Sequence, residues 1–244
     1  MIGLNRCDKN MRDVWLNPAH TAKWDSDPLS QNPLRSEQLD LLLTLILDHY
    51  TNGSTILDIG SGTGLVEEEL FHRLPKASIV GVDYSPAMLA KARERHAHRG
   101  DQFVMLQHDL NTLEQLQLPS RNYQIAFSVQ TLHNLPALSQ RKVIAWVYSV
   151  LSEKGFFFLL DRIAIPSEDL FPVYQSLWNR QGRLYSTEIS EAASFAAYQQ
   201  HLEANGDLPV TLEENLTGLA ESGFHVTALD VHGNRALIAC IKKT

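Results

Sequence analysis

From Ser54 to Ile163 the sequence keeps one rhythm, short apolar runs alternating with segments of helical spacing. The runs are "STILDI", "ASIVGVD", "QFVMLQ", "YQIAFSV" and "GFFFLLDRI", the last opening after a turn at Lys154-Gly155. Between them "LVEEELFHRL" stops before Pro75, and "QRKVIAWVYSVL" carries apolar residues at helical spacing. "SPAMLAKARERHA" has Ser85 as an N-cap and Pro86 at the first helical position, where the missing N–H costs nothing. Strands alternating with helices of this length predict βαβ units, and therefore a mostly parallel sheet with helices on both faces.

Outside that core the pattern changes. Residues 1–52 form an irregular cover, rich in Pro, Asn, Ser and Asp, followed by a helix carrying Leu39, Leu42, Leu43, Ile46 and Leu47. Ser36 is placed to cap that helix, which should end near Asn52-Gly53. Residues 53–164 are the core, and 165–210 show helical patterns without a clear strand, the mark of a lid or substrate-binding insert. In 211–244 a helix ends at Gly223, and two apolar segments around Gly233-Asn234 make a hairpin that completes the core.

A chain of 244 residues suffices for one α/β domain with a small cap. A net charge of −7 gives no general attraction for phosphate backbones, so nucleic acid is not expected as a partner. The 10 histidines form no HExxH pattern, and no metal site is expected. Cys7 and Cys240 lie at opposite ends, which fits reduced thiols in a cytoplasmic protein. No apolar run is long enough for a membrane span or a signal-peptide core.

The turn "ILDIGSGTG" carries the chemistry. A dinucleotide fingerprint, G-x-G-x-x-G, needs a third glycine at Leu65 counting from Gly60, or at Glu67 counting from Gly62, and both registers fail. The Gly-Lys-Ser/Thr of a phosphate-binding loop is also absent. Asp58 precedes the turn and Glu67, Glu68 and Glu69 follow it, a setting for positive charge rather than pyrophosphate. Asp83 ends the second strand, where an acid accepts from ribose hydroxyls in nucleotide-binding α/β folds. An adenosine-like ligand with a cationic end satisfies both, and S-adenosylmethionine is such a ligand.

"ILDIGSGTG", "VGVDYSPAMLAKA", "HDL" and "YQIAFSVQTLHNL" together resemble the class I S-adenosylmethionine-dependent methyltransferases, over residues 53 to 163 and by topology over the last strands. The resemblance implies a Rossmann-like seven-stranded sheet whose last strand is antiparallel, and S-adenosylmethionine as cofactor with S-adenosylhomocysteine as product. It places Gly60, Gly62 and Gly64 against the methionine and ribose parts, and Asp58 near the amino group. Asp83 would hold the ribose, Tyr84 and Met88 would flank the adenine, and Asp109 with the Leu110 backbone would meet its amino group. Ser128 and Gln130 would face the methionine portion.

His133, just past the fourth strand, is the candidate general base, with packing on the cofactor edge as its other reading. Trp24, Arg35, Tyr174 and Trp178 are the substrate-side candidates. Phe171, Tyr174 and Trp178 recur at helical spacing and suit either an aromatic wall or the insert's own core. The [DNS]-P-P-[YFW] tetrapeptide of amide and base methylation is replaced by "SVQTLHNLP", which leaves a small-molecule acceptor, apolar or ring-bearing, methylated in line. Two alternatives stand beside this: a cofactor-binding enzyme of the same fold doing non-methylating chemistry, and a non-catalytic cofactor-binding regulator.

Overall fold

The computed structural model describes residues 12–26, 34–185 and 193–243. A 3-10 turn at Arg12–Leu16 leads into α1 (Pro18–Ser26), and α2 spans Arg35–His49. Leu34, not Ser36, stands at the N-cap of α2, and no side chain caps it. Ser36 is thus inside the first turn, because the helical spacing of Leu39, Leu42 and Leu43 extends back to Arg35.

The core follows as β1 (Thr55–Ile59), α3 (Leu65–Arg73), β2 (Ser78–Asp83), α4 (Pro86–Arg95), β3 (Phe103–Gln107), β4 (Tyr123–Val129), α5 (Ala137–Val150) and β5 (Leu151–Arg162). The insert contributes α6 (Phe171–Tyr185) and α7 (Phe195–Asn205), and the chain closes with α8 (Leu212–Glu221), β6 (Phe224–His232) and β7 (Arg235–Lys242). All seven strands form one sheet in the order β3-β2-β1-β4-β5-β7-β6, with β7 antiparallel to both neighbours. The order reverses between β1 and β4, and a ligand crevice opens beyond the carboxyl ends of the strands at such a switch point.

The strands are apolar on both sides because both faces are covered. Leu57, Ile59, Val80, Val82 and Ala126 pack toward Val143, Ile144 and Val147 of α5. Ile56, Ile79, Ile125 and Phe127 pack with Leu42, Leu43 and Ile46 of α2 and with Leu70 and Phe71 of α3. The expected turn at Lys154-Gly155 lies within β5 as an irregularity: Tyr123 pairs with Leu151 and Ile125 with Phe156, and Lys154 takes φ 59°.

Two contacts fix the N-terminal cover to the core. Ser85 caps α4 by accepting from the Met88 N–H at 3.1 Å, and its hydroxyl donates to the Trp15 carbonyl. Arg95 on α4 binds the Asp25 carboxylate at 3.0 Å and the Thr63 carbonyl in the glycine turn. In the insert, Phe171, Trp178, Tyr198 and Leu202 make a separate small core with Ile165. Among the described residues no helix is long and apolar enough to cross a membrane. Cys240 is buried, and Cys7 lies outside the described residues.

Candidate active site

The carboxyl ends of β1, β2, β4 and β5 open on a cavity of about 250 Å³. The β1–α3 turn forms its floor. Gly60 has φ 84°, and a Cβ there would stand 2.0 Å from Thr131 Oγ1, so a side chain has neither the dihedral nor the room. Gly62, at φ 56°, donates its N–H to Asp83 Oδ2 at 2.9 Å, while the Ser85 N–H donates to Asp83 Oδ1 at 2.8 Å. Asp83 therefore ties the glycine turn to the end of β2 before any ligand arrives. Burial raises its carboxyl above the ordinary range, against the pull of those two N–H groups.

Asp58 and Glu67 lie against one another, fully buried, where β1 meets the first turn of α3. The two carboxyls share a side-chain hydrogen bond. Burial pushes Asp58 well above the ordinary carboxylate range, and the charge of Glu67 adds to this; burial raises Glu67 too. The acid pair, with Asp58 opening on the cavity, suits a ligand ammonium.

The candidates read from sequence divide into those that line the cavity and those that do not. Asp58, Gly60, Gly62, Asp83, Tyr84, Met88, Asp109, Leu110 and Gln130 line it, and so do Trp24, Arg35 and His133. Asp109 caps the 3-10 turn Leu110–Gln115 by accepting from the Asn111 N–H at 2.9 Å. Gln130 is held at φ 51°, an uncommon dihedral outside glycine, by its N–H donating to the Leu160 carbonyl at 2.8 Å. Gly64 and Ser128 stand one layer behind the lining. The Gly64 carbonyl lies 2.8 Å from His96 Nε2, and the Ser128 hydroxyl donates to the Ile59 carbonyl at 2.8 Å. Tyr174 and Trp178 pack in or against the insert's own core and do not line the cavity.

Arg35 stacks over the Trp24 ring at 5.2 Å, and burial lowers it to about 10. Trp15 meets His20 and Trp24 edge-on at 4.8 and 6.4 Å, so three aromatic rings of the cover close one side of the cavity.

His133 is held by Asp161 at the end of β5. Its backbone N–H donates to Asp161 Oδ2 at 3.0 Å, and its Nδ1 meets Asp161 Oδ1. A carboxylate there only accepts, which puts a ring proton on Nδ1. Nε2 lies 3.6 Å from Asp207 Oδ1, and the other Asp207 oxygen lies 3.3 Å from Arg162 Nη1. The Asp161–Arg162 pair, Asp207 and Arg235 did not stand out in the sequence. The available signal was charge at the end of the apolar run "FFFLLDR", where βα folds keep their ligands. Among the described residues no three His, Cys, Asp or Glu side chains group as a metal site.

Comparison with known proteins agrees with this geometry. Residues 56–155 match the family described as "Methyltransferase domain". A carboxy-S-adenosyl-L-methionine synthase of Nautilia profundicola is 22% identical over 192 residues, covering 79% of this chain and 78% of that protein. A malonyl-[acyl-carrier protein] O-methyltransferase of Bacillus anthracis is 35% identical over 116 residues, 47% of this chain and 40% of its own. The crystal structure of CurJ carbon methyltransferase matches with a TM-score of 0.68 at 14% identity, over 95% of this chain and 61% of that one, a likeness of fold.

Proposed function

We propose that the chain is a class I S-adenosylmethionine-dependent methyltransferase that methylates a small molecule, apolar or ring-bearing, in the part of the cavity next to His133. The observation that carries this reading is the buried Asp58, backed by Glu67, lining the same cavity as Asp83. One ligand with an ammonium at one end and a ribose at the other answers both.

In this reading Asp58 takes the ammonium and Asp83 the ribose hydroxyls. Tyr84 and Met88 flank the adenine, Asp109 and Leu110 meet its amino edge, and Gln130 faces the methionine portion. Gly60 and Gly62 admit the ligand backbone-close, while Gly64 and Ser128 support the turn and β4 from behind. When bound, S-adenosylmethionine supplies a methyl carbon activated by the positive sulfur for in-line attack.

The chain's own tasks are orientation, exclusion of water and, for an acceptor carrying a proton, its removal. Trp15, Trp24 and Arg35 of the 1–52 cover close one side, and Asn205, Gly206 and Asp207 of the 165–210 insert close another. Tyr174 and Trp178 support the insert's end from its core. His133 Nε2 receives the acceptor's proton, and Asp161 and Asp207 flank the resulting imidazolium.

The test uses cofactor labelled in its methyl group, incubated with the protein and fractionated small-molecule extracts. Label in a new low-mass product, matched by S-adenosylhomocysteine, supports the reading; no binding of either cofactor form by calorimetry removes it. A second reading, chemistry on the cofactor's methyl carbon itself, is favoured by the relative named a carboxy-S-adenosyl-L-methionine synthase, which matches along 79% of this chain. Label retained in a heavier cofactor derivative, with no S-adenosylhomocysteine, selects it.

A further inference from the structure

Arg35 opens α2, and with Gln38, Leu42, Leu43 and Ile46 it forms the buried face of that helix. The position begins a largely apolar stripe, yet it carries a guanidinium. Arg35 is only 9% exposed and lines the cavity, and burying a guanidinium withdraws it from water. Burial is what lowers its pKa, and no carboxylate among the described residues raises it again. A helix face shaped by packing alone would hold an apolar residue here.

What Arg35 meets is the Trp24 ring, whose centre lies 5.2 Å from the guanidinium carbon. A ring takes the flat face of a guanidinium and leaves the N–H groups at its edge for an anion. As the first residue of α2, Arg35 also stands at the positive end of the helix dipole. Glu37, the acid of the same turn, is exposed and accepts from the Tyr185 hydroxyl at 3.3 Å. Elsewhere in the cavity His133 already meets Asp161, and Arg162 meets Asp207.

The helix brings Arg35 to the cavity from the side that carries Asp58. Leu42, Leu43 and Ile46 of α2 pack with Ile56 of β1 and with Val66 and Leu70 of α3, the strand and helix that hold Asp58 and Glu67. The amino-acid end of S-adenosylmethionine is a zwitterion, with an ammonium and a carboxylate on one carbon. Asp58 answers the ammonium only. A carboxylate entering beside an acid pair needs a cation of its own.

We propose that Arg35 binds the carboxylate at the amino-acid end of the cofactor, with Trp24 holding the guanidinium in place. The proposal rests on the methyltransferase reading above, and it gives Arg35 a cofactor role where the sequence put it on the acceptor's side. A guanidinium fork matches a carboxylate in geometry, and the bond is charge-assisted in a site largely closed to water. Both charges of the zwitterion are then read by buried groups of opposite sign, Asp58 and Arg35. Through Trp24, the cover packs directly on one of the two residues that read it.

The experiment titrates two ligands into the full chain by calorimetry: S-adenosylhomocysteine, and its decarboxylated form, which keeps the ammonium and lacks the carboxylate. The wild type should bind S-adenosylhomocysteine about tenfold tighter or more. In Arg35→Gln that affinity should fall about tenfold or more, the loss of a charged hydrogen bond, while the decarboxylated form stays within about twofold and serves as the folding control. Arg35→Lys keeps the charge without the fork and should fall between the two; it is the variant to use if Arg35→Gln does not fold. Equal wild-type affinity for the two ligands, an equal loss for both in Arg35→Gln, or S-adenosylhomocysteine binding that Arg35→Gln leaves unchanged would each overturn the assignment. Failure of the wild type to bind either ligand would instead remove the methyltransferase reading beneath it.

Discussion

Gly60→Ala is the sharpest perturbation of the turn. Its consequence follows from two separate quantities. The residue sits at φ 84°, where an L side chain costs about 1–2 kcal/mol. The added carbon would meet Thr131 Oγ1, Cγ2 and Cβ at 2.0, 2.3 and 2.6 Å, an overpacking of about 1–3 kcal/mol. The turn has little freedom to yield, because the Gly60 and Ser61 N–H groups both donate to the Val82 carbonyl, at 2.7 and 3.2 Å. Urea unfolding should therefore show a loss of about 2–5 kcal/mol, the sum of the two. The two parts separate in a double-mutant cycle. Thr131→Gly removes all three clashing atoms, so Gly60→Ala in that background should cost only about 1–2 kcal/mol, the dihedral strain. Affinity for S-adenosylhomocysteine should fall with Gly60→Ala alone and recover in part in the double variant. Additive costs, or a Gly60→Ala loss under about 1 kcal/mol, would refute both the close approach of Thr131 and the backbone strain from which the estimate is built.

Asp83→Ala leaves the Gly62 and Ser85 N–H groups without their acceptor, so the free protein should lose stability by about 1–3 kcal/mol per orphaned donor, and cofactor affinity should drop as well; unchanged affinity in calorimetry removes the ribose role. Asp58 has its folded-state pKa raised by burial, so the folded chain holds the proton more tightly than the unfolded one. Its contribution is then most favourable at or below the ordinary carboxylate range and is lost as pH rises through the raised value. Melting curves of the free wild type minus those of Asp58→Asn should show that slope, and a flat difference contradicts the buried pair. His133→Ala should reduce turnover far more than cofactor affinity and flatten its pH profile; an Asp161→Asn variant with wild-type turnover would remove the dyad from the mechanism.

Local patterns reached far into this fold because its strands and caps are set by neighbours in sequence. Ser85 caps α4 and Pro86 opens it, as a helix start reads in any context. The glycine turn was equally legible, since glycine adopts the positive φ of Gly60 and Gly62 without strain. Ser36 stands inside the first turn of α2, with Leu34 at the N-cap, so a hydroxyl near the helix start did not mark its boundary. The far end of the cavity is assembled from residues distant in sequence. His133 meets Asp161 across 28 positions, and Arg162 meets Arg235 through an antiparallel register no local pattern fixes. Asp207 arrives at the end of the insert, where the Leu208 N–H donates to the His133 carbonyl. Helical spacing of Phe171, Tyr174 and Trp178 told that these rings share a face; it did not tell whether that face meets a ligand or α7.

The most direct measurement is a crystal structure of the chain with S-adenosylhomocysteine. The ribose hydroxyls should lie within hydrogen-bond distance of the Asp83 carboxylate, the amino group beside Asp58, and the sulfur on the side of Gln130 that faces His133. A ligand bound elsewhere, or one whose ribose leaves Asp83 untouched, would contradict the account.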